Sequence, residues 1–335
     1  MPRVSNPHNR LLGDSGEKAG GRFVVCKKDS SRPRKYKCPS NLAQKPLVFL
    51  RSSILCFEGL QAFASSLHNL TINSDFYPAH GVNAVKTPSF RLDGRRALVT
   101  GGSRGIGQAA VFALAEAGAH VVVAARNAAE VNEVCGRVHA LGGKASAWVI
   151  DVTDSAAVKK GIASHGPFQI LVNNAGMNRP TLLTEMEDSD LDAVLDLNVK
   201  AAFYVAREVV RGLLEAGLPG SLINVSSQMG HVGGFKRTVY CATKHAIEGM
   251  TKALAWEVGP AGIRVNTICP TFIATDMTRG MLQDTAFMDS VLSKIALGRV
   301  GQPQDLMGAM VFLASDASAM VTGSSLMVDG GWTAA

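Results

Sequence analysis

The sequence predicts an α/β protein with a doubly wound, mostly parallel sheet of seven strands and helices on both faces. Short apolar runs begin near residues 97, 120, 146, 169, 221, 264 and 325, and helical stretches separate them. Strands that alternate with helices form parallel sheets with right-handed crossovers. A glycine-rich turn separates the first strand from the first helix. These observations together predict a Rossmann-like fold over about residues 91–335.

The first strand and the turn after it predict a nucleotide site. Ala97-Leu98-Val99 is a short apolar run, a helical stretch covers Gln108 to Ala117, and Val121 to Ala124 form the next strand. Glycines between a strand and a helix let a pyrophosphate approach the backbone, and the helix start offers unpaired N–H groups. We expect the cofactor to contact Thr100, Gly101, Ser103, Arg104, Gly105, Ile106 and Gly107.

The end of the second strand indicates which dinucleotide binds. An acidic residue there bonds the ribose 2′-hydroxyl of NAD, whereas an arginine suits the 2′-phosphate of NADP. This chain has Ala125 followed by Arg126, and Arg104 adds a second cation in the glycine turn. A guanidinium binds phosphate as a fork of donors. The sequence therefore favours NADP(H) over NAD(H).

Tyr240, Lys244 and Ser227 form a candidate catalytic set. Tyr240 and Lys244 are four residues apart, so they project from one face of a helix. A nearby ammonium lowers the pKa of a phenol from about 10 toward about 7, where the phenol exchanges protons with a carbonyl or alcohol oxygen. Ser227 follows the buried run Leu222 to Val225, at the strand end where such sheets bind ligands. The Tyr–Lys pair alone also fits a half-buried tyrosine beside a solvated lysine.

The motifs occur in the order and spacing of a known enzyme family. Thr-Gly-x-x-x-Gly-x-Gly begins at Thr100, Asn173-Asn174-Ala175-Gly176 follows a strand, and Ser227 precedes Tyr240 by thirteen residues. The combination resembles the short-chain dehydrogenase/reductase family in its single-domain form, over about residues 91–335. It is similar to L-xylulose/dicarbonyl reductases, 3-oxoacyl-carrier-protein reductases and bacterial sugar dehydrogenases.

The resemblance implies roles for further residues. Asp151 and Val152 would flank the adenine, although Asp151 also suits a turn or a helix cap. Asn198, in a helical run from about Asp190 to Ala216, would support a proton path, although it also suits a bend in the helix. The family usually has Pro-Gly where this chain has Pro270-Thr271. The other residues expected at the cofactor are Asn174, Ala175, Gly176, Tyr240, Lys244, Pro270, Ile273 and Thr275.

The family reaction is reversible hydride transfer between nicotinamide and a carbonyl carbon. The resemblance makes Tyr240 the general acid in reduction, Ser227 the group that orients the substrate oxygen, and Lys244 the group that lowers the pKa of Tyr240 and bonds the nicotinamide ribose. The expected substrate is a small polar ketone, a ketose or a 3-oxoacyl compound, handled by a homo-tetramer. The alternative is a sensor that binds NADP(H) without catalysis, and the filled catalytic positions favour the enzyme.

Residues 271–300 are expected to cover the substrate as a mobile lid. The residues expected to line the pocket are Met177, Asn178, Arg179, Met229, His231, Phe235 and Met281. Arg179 or His231 would bind a polar or anionic substrate, and the alternative is that these are loop residues facing solvent.

Composition limits the other function classes. The six cysteines include no Cys-x-x-Cys pair, so no disulfide framework and no zinc site are expected, and a reducing, cytoplasmic setting fits. No run of eighteen apolar residues occurs, so no membrane span is expected. The excess positive charge belongs to residues 1–90, with 13 Lys and Arg against 5 Asp and Glu, so the fold itself is not expected to bind nucleic acid.

Residues 1–90 predict an extension rather than part of the fold. They begin rich in Ser, Pro, Gly, Lys and Arg, which is typical of disorder. A transit peptide and a basic binding tail are alternatives. A further alternative is a misplaced start, since the segment from Val85 resembles a natural beginning of the domain and no Met lies between Met1 and Met177.

Overall fold

The computed structural model describes residues 86–335, so the predicted extension lies almost wholly outside the described residues. Seven strands form one sheet in the order β3-β2-β1-β4-β5-β6-β7, and all neighbouring strands are parallel. The predicted seven-stranded Rossmann-like sheet is confirmed. The strands are β1 (Arg96–Thr100), β2 (His120–Ala125), β3 (Lys144–Val149), β4 (Ile170–Asn173), β5 (Gly220–Val225), β6 (Ile263–Pro270) and β7 (Ser325–Val328).

Helices cover both faces of the sheet because the central strands bury side chains on both sides. Ala97 and Val99 of β1 pack in one core with helices α1, α2 and α9, and Leu98 packs in the other with α3, α5 and α6. Full burial of these three side chains explains the continuous apolar run in the sequence. The helices are α1 (Gly105–Glu116), α2 (Ala128–Ala140), α3 (Ser155–His165), α4 (Asp188–Leu195), α5 (Ala201–Ala216), α6 (Thr238–Val258), α7 (Asp276–Leu282), α8 (Thr285–Leu292) and α9 (Met307–Ala314).

The helical run expected from Asp190 to Ala216 is divided in the structure. α4 ends at Leu195, a π-helical turn follows over Asp196–Lys200, and α5 begins at Ala201. Such turns are rare and concentrate at functional sites, because the extra residue redirects the side chains of one turn. Asn198 lies in this turn and is buried. The sequence predicted one continuous helical run, in which Asn198, a residue that suits a bend, marked the place of the interruption.

The sheet topology gathers the predicted site residues at one edge. The carboxyl ends of β1, β4, β5 and β6 lie side by side, since these strands are consecutive neighbours and parallel. The glycine turn, the Asn173–Gly176 segment, Ser227 and the loop after Pro270 each follow one of these ends.

The segment predicted as a lid, residues 271–300, contains the two short helices α7 and α8. Its mobility stays a prediction. Among the helices of residues 86–335, none combines the length and the apolar character needed to cross a membrane.

Candidate active site

The turn between β1 and α1 has the backbone shape of a phosphate site. Gly101 and Gly105 have positive φ values of 62° and 56°, a region that favours glycine. A Cβ on Gly107 would lie 2.2 Å from the carbonyl oxygen of Gly101, so the helix start packs directly on the strand end. No side chain caps the first turn of α1, which leaves its N–H groups free for a phosphate. These residues therefore fit a dinucleotide pyrophosphate.

The segment after β4 fixes the position of this turn. Asn174 Nδ2 donates to the carbonyl oxygens of Thr100 and Gly101, at 3.0 and 3.1 Å. The Thr100 hydroxyl accepts from the backbone N–H groups of Asn174 and Ala175, also at 3.0 and 3.1 Å. Gly176 continues toward the catalytic side, where a Cβ would lie 3.2 Å from Asn198 Oδ1. Four hydrogen bonds thus join the ends of β1 and β4.

The two arginines that are predicted to bind the 2′-phosphate of NADP are exposed. Arg104 precedes α1, Arg126 follows β2, and neither forms an ion pair with another described residue. Two other residues of the turn make contacts within the protein itself. The Ser103 hydroxyl donates to Glu130 at 2.8 Å, and Ile106 packs against the core. Glu130 lies in the first turn of α2 and was not anticipated from the sequence.

Asp151 stabilises a turn, which is one of the roles that the sequence allowed for it. Its Oδ1 accepts from the backbone N–H of Thr153 at 3.0 Å and from the Thr153 hydroxyl at 2.8 Å. The backbone hydrogen bond from Thr153, aided by the Arg126 charge, lowers the pKa of the carboxyl. Asp154, and not Asp151, caps α3. Val152 is buried beside it, and contact of either residue with adenine stays a prediction.

Ser227, Tyr240 and Lys244 lie together beyond the end of β5. The Lys244 Nζ atom donates to the carbonyl oxygen of Val225 at 2.8 Å and lies 5.5 Å from the centre of the Tyr240 ring. The Ser227 hydroxyl is close enough to the phenol for hydrogen bonding to lower the pKa of Tyr240. Ser227 Oγ also donates to Gln228 at 2.9 Å and accepts from the backbone N–H of Met229 at 3.1 Å.

Burial dominates the ionisation of the Tyr–Lys pair. It raises the pKa of Tyr240 to about 12, against opposing effects of the Ser227 hydroxyl and the Arg237 charge. It lowers the pKa of Lys244 to about 8, although Cys269 and Glu248 favour the charged form. The predicted phenol with a pKa near 7 is therefore wrong for this structure. The Lys244 ammonium lies over the ring and bonds a backbone carbonyl, and burial of the phenol is the largest effect on its pKa.

Asn198 connects two parts of the site through its amide. Its Oδ1 accepts from the backbone N–H of Met177 at 2.8 Å, and its Nδ2 donates to the Met177 carbonyl at 2.9 Å. The same Nδ2 donates to the hydroxyl of Thr243 on α6 at 3.2 Å, one residue before Lys244. The amide therefore fixes the loop after β4 against α6.

The loop after β6 lies against the glycine turn. A Cβ on Gly105 would lie 3.3 Å from Thr275 Cγ2. Thr275 caps α7 together with Thr278, and Ile273 is buried and paired with Gly301. Thr271, the departure from the family's usual glycine, has a buried hydroxyl without a hydrogen-bond partner among the described residues.

The residues predicted to line the pocket fall into different environments. Arg179 forms an exposed ion pair with Asp190, with Nε and Oδ1 3.2 Å apart. Phe235 is 82% exposed, whereas Met229 is buried. His231 contacts Glu248 and Cys269 instead of standing free in the pocket. Met177 and Asn178 lie on the loop that Asn198 holds.

Arg237 is the residue of the site that the sequence analysis missed. It is 5% exposed, lies three residues before Tyr240, and is near enough to lower the pKa of that phenol. Its Nη2 donates to the Met281 sulfur at 3.0 Å, and its Nη1 is buried without a hydrogen-bond partner among the described residues. It forms no ion pair within residues 86–335. A cation one turn before Tyr240 was the available signal in the sequence.

Comparisons with known proteins identify the family of this chain. A family model described as enoyl-(acyl carrier protein) reductase matches residues 101–333. D-erythrulose reductase from Gallus gallus is 38% identical over 73% of this chain and 98% of the relative. Gluconate 5-dehydrogenase from Gluconobacter oxydans is 41% identical over 73% of this chain and 96% of the relative.

A solved structure extends the comparison to three dimensions. Gluconate 5-dehydrogenase from Burkholderia cenocepacia, crystallised in complex with NADP and tartrate, is 38% identical to this chain. The match has a TM-score of 0.70 and covers 73% of this chain and 98% of that one. The chain therefore belongs to the short-chain dehydrogenase/reductase family, whose members are oxidoreductases.

Proposed function

We propose that this protein interconverts a carbonyl group and a secondary alcohol with NADP(H), using Ser227, Tyr240 and Lys244 as catalytic residues and Asn198 as a positioning residue. The observation that carries the proposal is the meeting of hydroxyl, phenol and ammonium beyond the end of β5. The phosphate-type glycine turn follows β1 at the same edge of the sheet. A dinucleotide held there would present its reactive end to the phenol.

The cofactor is NADP(H), which supplies or accepts a hydride at its nicotinamide ring. The uncapped first turn of α1 suits the pyrophosphate. The exposed guanidinium groups of Arg104 and Arg126 suit a 2′-phosphate. The loop from Pro270 to Thr275, which lies against Gly105, suits the nicotinamide. The related gluconate 5-dehydrogenase holds NADP in its crystal structure, in agreement with these features.

Burial leaves a proton on the phenol at neutral pH. Tyr240 can donate this proton to the carbonyl oxygen of a substrate, although the raised pKa makes the phenol a weaker acid than a tyrosine in water. The Ser227 hydroxyl can bond the same oxygen and stabilise the charge that develops on it. Lys244, with a pKa of about 8, stays charged at pH 7 and stabilises the phenolate that proton donation leaves.

We propose that the substrate is a small polar ketone or ketose, with a carboxylate as an added recognition group. Arg237 has a buried N–H group without a hydrogen-bond partner among the described residues. Its guanidinium lies near the Tyr240 phenol and contacts Met281, which belongs to the segment predicted as a lid. A carboxylate is a good acceptor for a guanidinium fork. The gluconate dehydrogenases among the relatives are named for sugar acids.

The test is the variant Tyr240→Phe, which removes the phenolic hydroxyl and keeps the aromatic ring. We expect kcat with NADPH to fall by about 10² to 10⁴-fold across a panel of diketones, ketoses, keto sugar acids and acetoacetyl thioesters. NADPH binding, followed by fluorescence titration, should remain. The matched control is Tyr204→Phe, since Tyr204 lies on α5 and stacks with Arg207.

Two outcomes would contradict the proposal. Normal turnover by Tyr240→Phe would show that the phenol is not the proton donor. Tight NADPH binding by the wild-type protein without turnover of any carbonyl in the panel would favour the sensor.

A further inference from the structure

A second cluster of ligand-type side chains lies one helical turn from Lys244. Glu248 follows Lys244 by four residues on α6, Cys269 lies near the end of β6, and His231 follows the short turn after Ser227. The Nε2, Oε1 and Sγ atoms of the three residues lie within 4.8 Å of one another. The mechanism proposed above gives none of them a task.

The spacing of the three atoms is that of ligands around one tetrahedral metal ion. His231 Nε2 is 3.4 Å from Glu248 Oε1 and 3.5 Å from Cys269 Sγ. Cys269 Sγ is 3.3 Å from Glu248 Oε1. Zinc–ligand bonds of about 2.0–2.3 Å at tetrahedral angles separate such atoms by about 3.3–3.6 Å. Little movement is therefore needed to place one ion between them.

Glu248 is oriented as a metal-binding carboxylate would be. Its Oε2 atom accepts from the Ser325 hydroxyl at 2.6 Å and from the Thr267 hydroxyl at 3.1 Å. These bonds hold the carboxylate so that Oε1 faces His231 and Cys269. Partners on the far oxygen are typical of metal sites, where they fix the direction of the ligand.

A fourth polar group faces the cluster without a partner. The Ser226 hydroxyl is 2% exposed and makes no hydrogen bond with a described residue. A Cβ at position 230 would lie 2.8 Å from this hydroxyl and 3.1 Å from Glu248 Cγ, so Ser226 and Glu248 border the same space, which glycine leaves open. A bound ion would supply the partner that this buried hydroxyl lacks.

We propose that His231, Glu248 and Cys269 bind one divalent transition-metal ion of the zinc type, with Ser226 facing the fourth position. Imidazole and thiolate donors select such ions over Mg²⁺ and Ca²⁺. Binding displaces the thiol proton of Cys269 to solvent, and the two anionic ligands then neutralise the ion. The ion would join the loop after β5, α6 and β6, the elements that carry Ser227, Tyr240 and the nicotinamide loop. Its role is to position these elements.

The test is a titration of the metal-free full-length protein with Co²⁺. A thiolate–Co²⁺ charge-transfer band and the strong visible bands of tetrahedral Co²⁺ should saturate at one equivalent, and Zn²⁺ should abolish them. Cys269→Ala should lose the charge-transfer band, and His231→Gln should weaken Co²⁺ binding at least about 10-fold. His231 has a 29% exposed side chain, so its variant should fold normally. The matched control is Cys241→Ala, a partly buried thiol outside the cluster.

Each result decides for or against the site. Zn²⁺ should raise the Tm of the wild-type protein and of Cys241→Ala but not that of His231→Gln, while Mg²⁺ should change none of them. A charge-transfer band that persists in Cys269→Ala would assign the metal to other thiols and overturn the proposal. Absence of stoichiometric Co²⁺ binding by the wild-type protein would overturn it as well. Neither outcome bears on the proposed reductase activity, which the Tyr240→Phe variant tests separately.

Discussion

At the scale of single residues, burial sets the protonation states on which the chemistry depends. Tyr240 and Lys244 share one face of α6, and desolvation favours the neutral form of each. The sequence showed the charge next to the phenol but not the loss of water around it, so the direction of the pKa of Tyr240 was predicted wrongly. The residue types and their spacing were sufficient to find the pair itself.

The lowered pKa of Lys244 predicts a stability that depends on pH. Its folded-state value is about 8 against an ordinary 10.5, so the unfolded chain binds more protons above pH 8 and stability rises with pH. The full difference is worth about 3 kcal/mol. Tyr240 and Cys269 have raised pKa values and oppose this at higher pH, so the range to measure is pH 7.5 to 9.

Urea unfolding of the wild-type protein and of Lys244→Met measures this slope. The wild type should gain more stability between pH 7.5 and 9 than the variant does, because only the wild type buries the ammonium. Lys252→Met is the control, since Lys252 is exposed on the same helix and should leave the slope unchanged. If stability rose equally steeply with pH in the wild type and in Lys244→Met, the lowered pKa of Lys244 would be refuted.

Arg237 predicts selectivity for anionic substrates. Arg237→Met should raise KM for a keto sugar acid by roughly 10 to 100-fold, as expected for loss of one charge-assisted hydrogen bond. Its kcat/KM for a neutral diketone should change by less than about 3-fold. Arg179→Met is the control, because Arg179 already pairs with Asp190. Equal losses on both substrates would assign Arg237 a structural role only.

At the scale of elements, the glycine turn and α1 act as one unit. Gly107 lies inside the helix yet touches the preceding strand end, so its lack of a side chain serves packing and not flexibility. The sequence predicted this strand, turn and helix because each has a local signature. It could not predict the π-helical turn at Asn198, which depends on contacts with Met177 and Thr243 from elsewhere in the chain.

Two glycines in helices provide a matched test of this packing. Gly107→Ala should lower the free energy of unfolding by at least about 1 kcal/mol and weaken NADPH binding, because its Cβ would lie 2.2 Å from a backbone oxygen. Gly136→Ala in α2 should instead stabilise the protein by about 0.5–1 kcal/mol, because nothing beyond its chain neighbours and its own helix backbone lies within 4 Å of the added Cβ. Urea unfolding and fluorescence titration measure both, and a stabilising Gly107→Ala would contradict the packing.

At the scale of the whole molecule, the parallel sheet explains which residues of the candidate site could be predicted from the sequence and which could not. Parallel strand ends meet at one edge, so motifs spread from Thr100 to Thr275 could be assigned to one site from strand order alone. The contacts of Arg237 with Met281 and of His231 with Glu248 and Cys269 depend on loop conformation, which has no period in the sequence. The homo-tetramer and the role of residues 1–85 stay predictions.

The position of β7 has a consequence for the order of folding. Among the described strands β7 pairs with β6 alone, and it follows β6 in the chain. Ser325, which holds Glu248, lies on this strand. The strands of the nucleotide-binding half can therefore pair before β7 is added, while β6 keeps an unpaired edge until β7 joins it. Because unpaired strand edges associate with other chains, we expect a partly folded molecule to aggregate through β6.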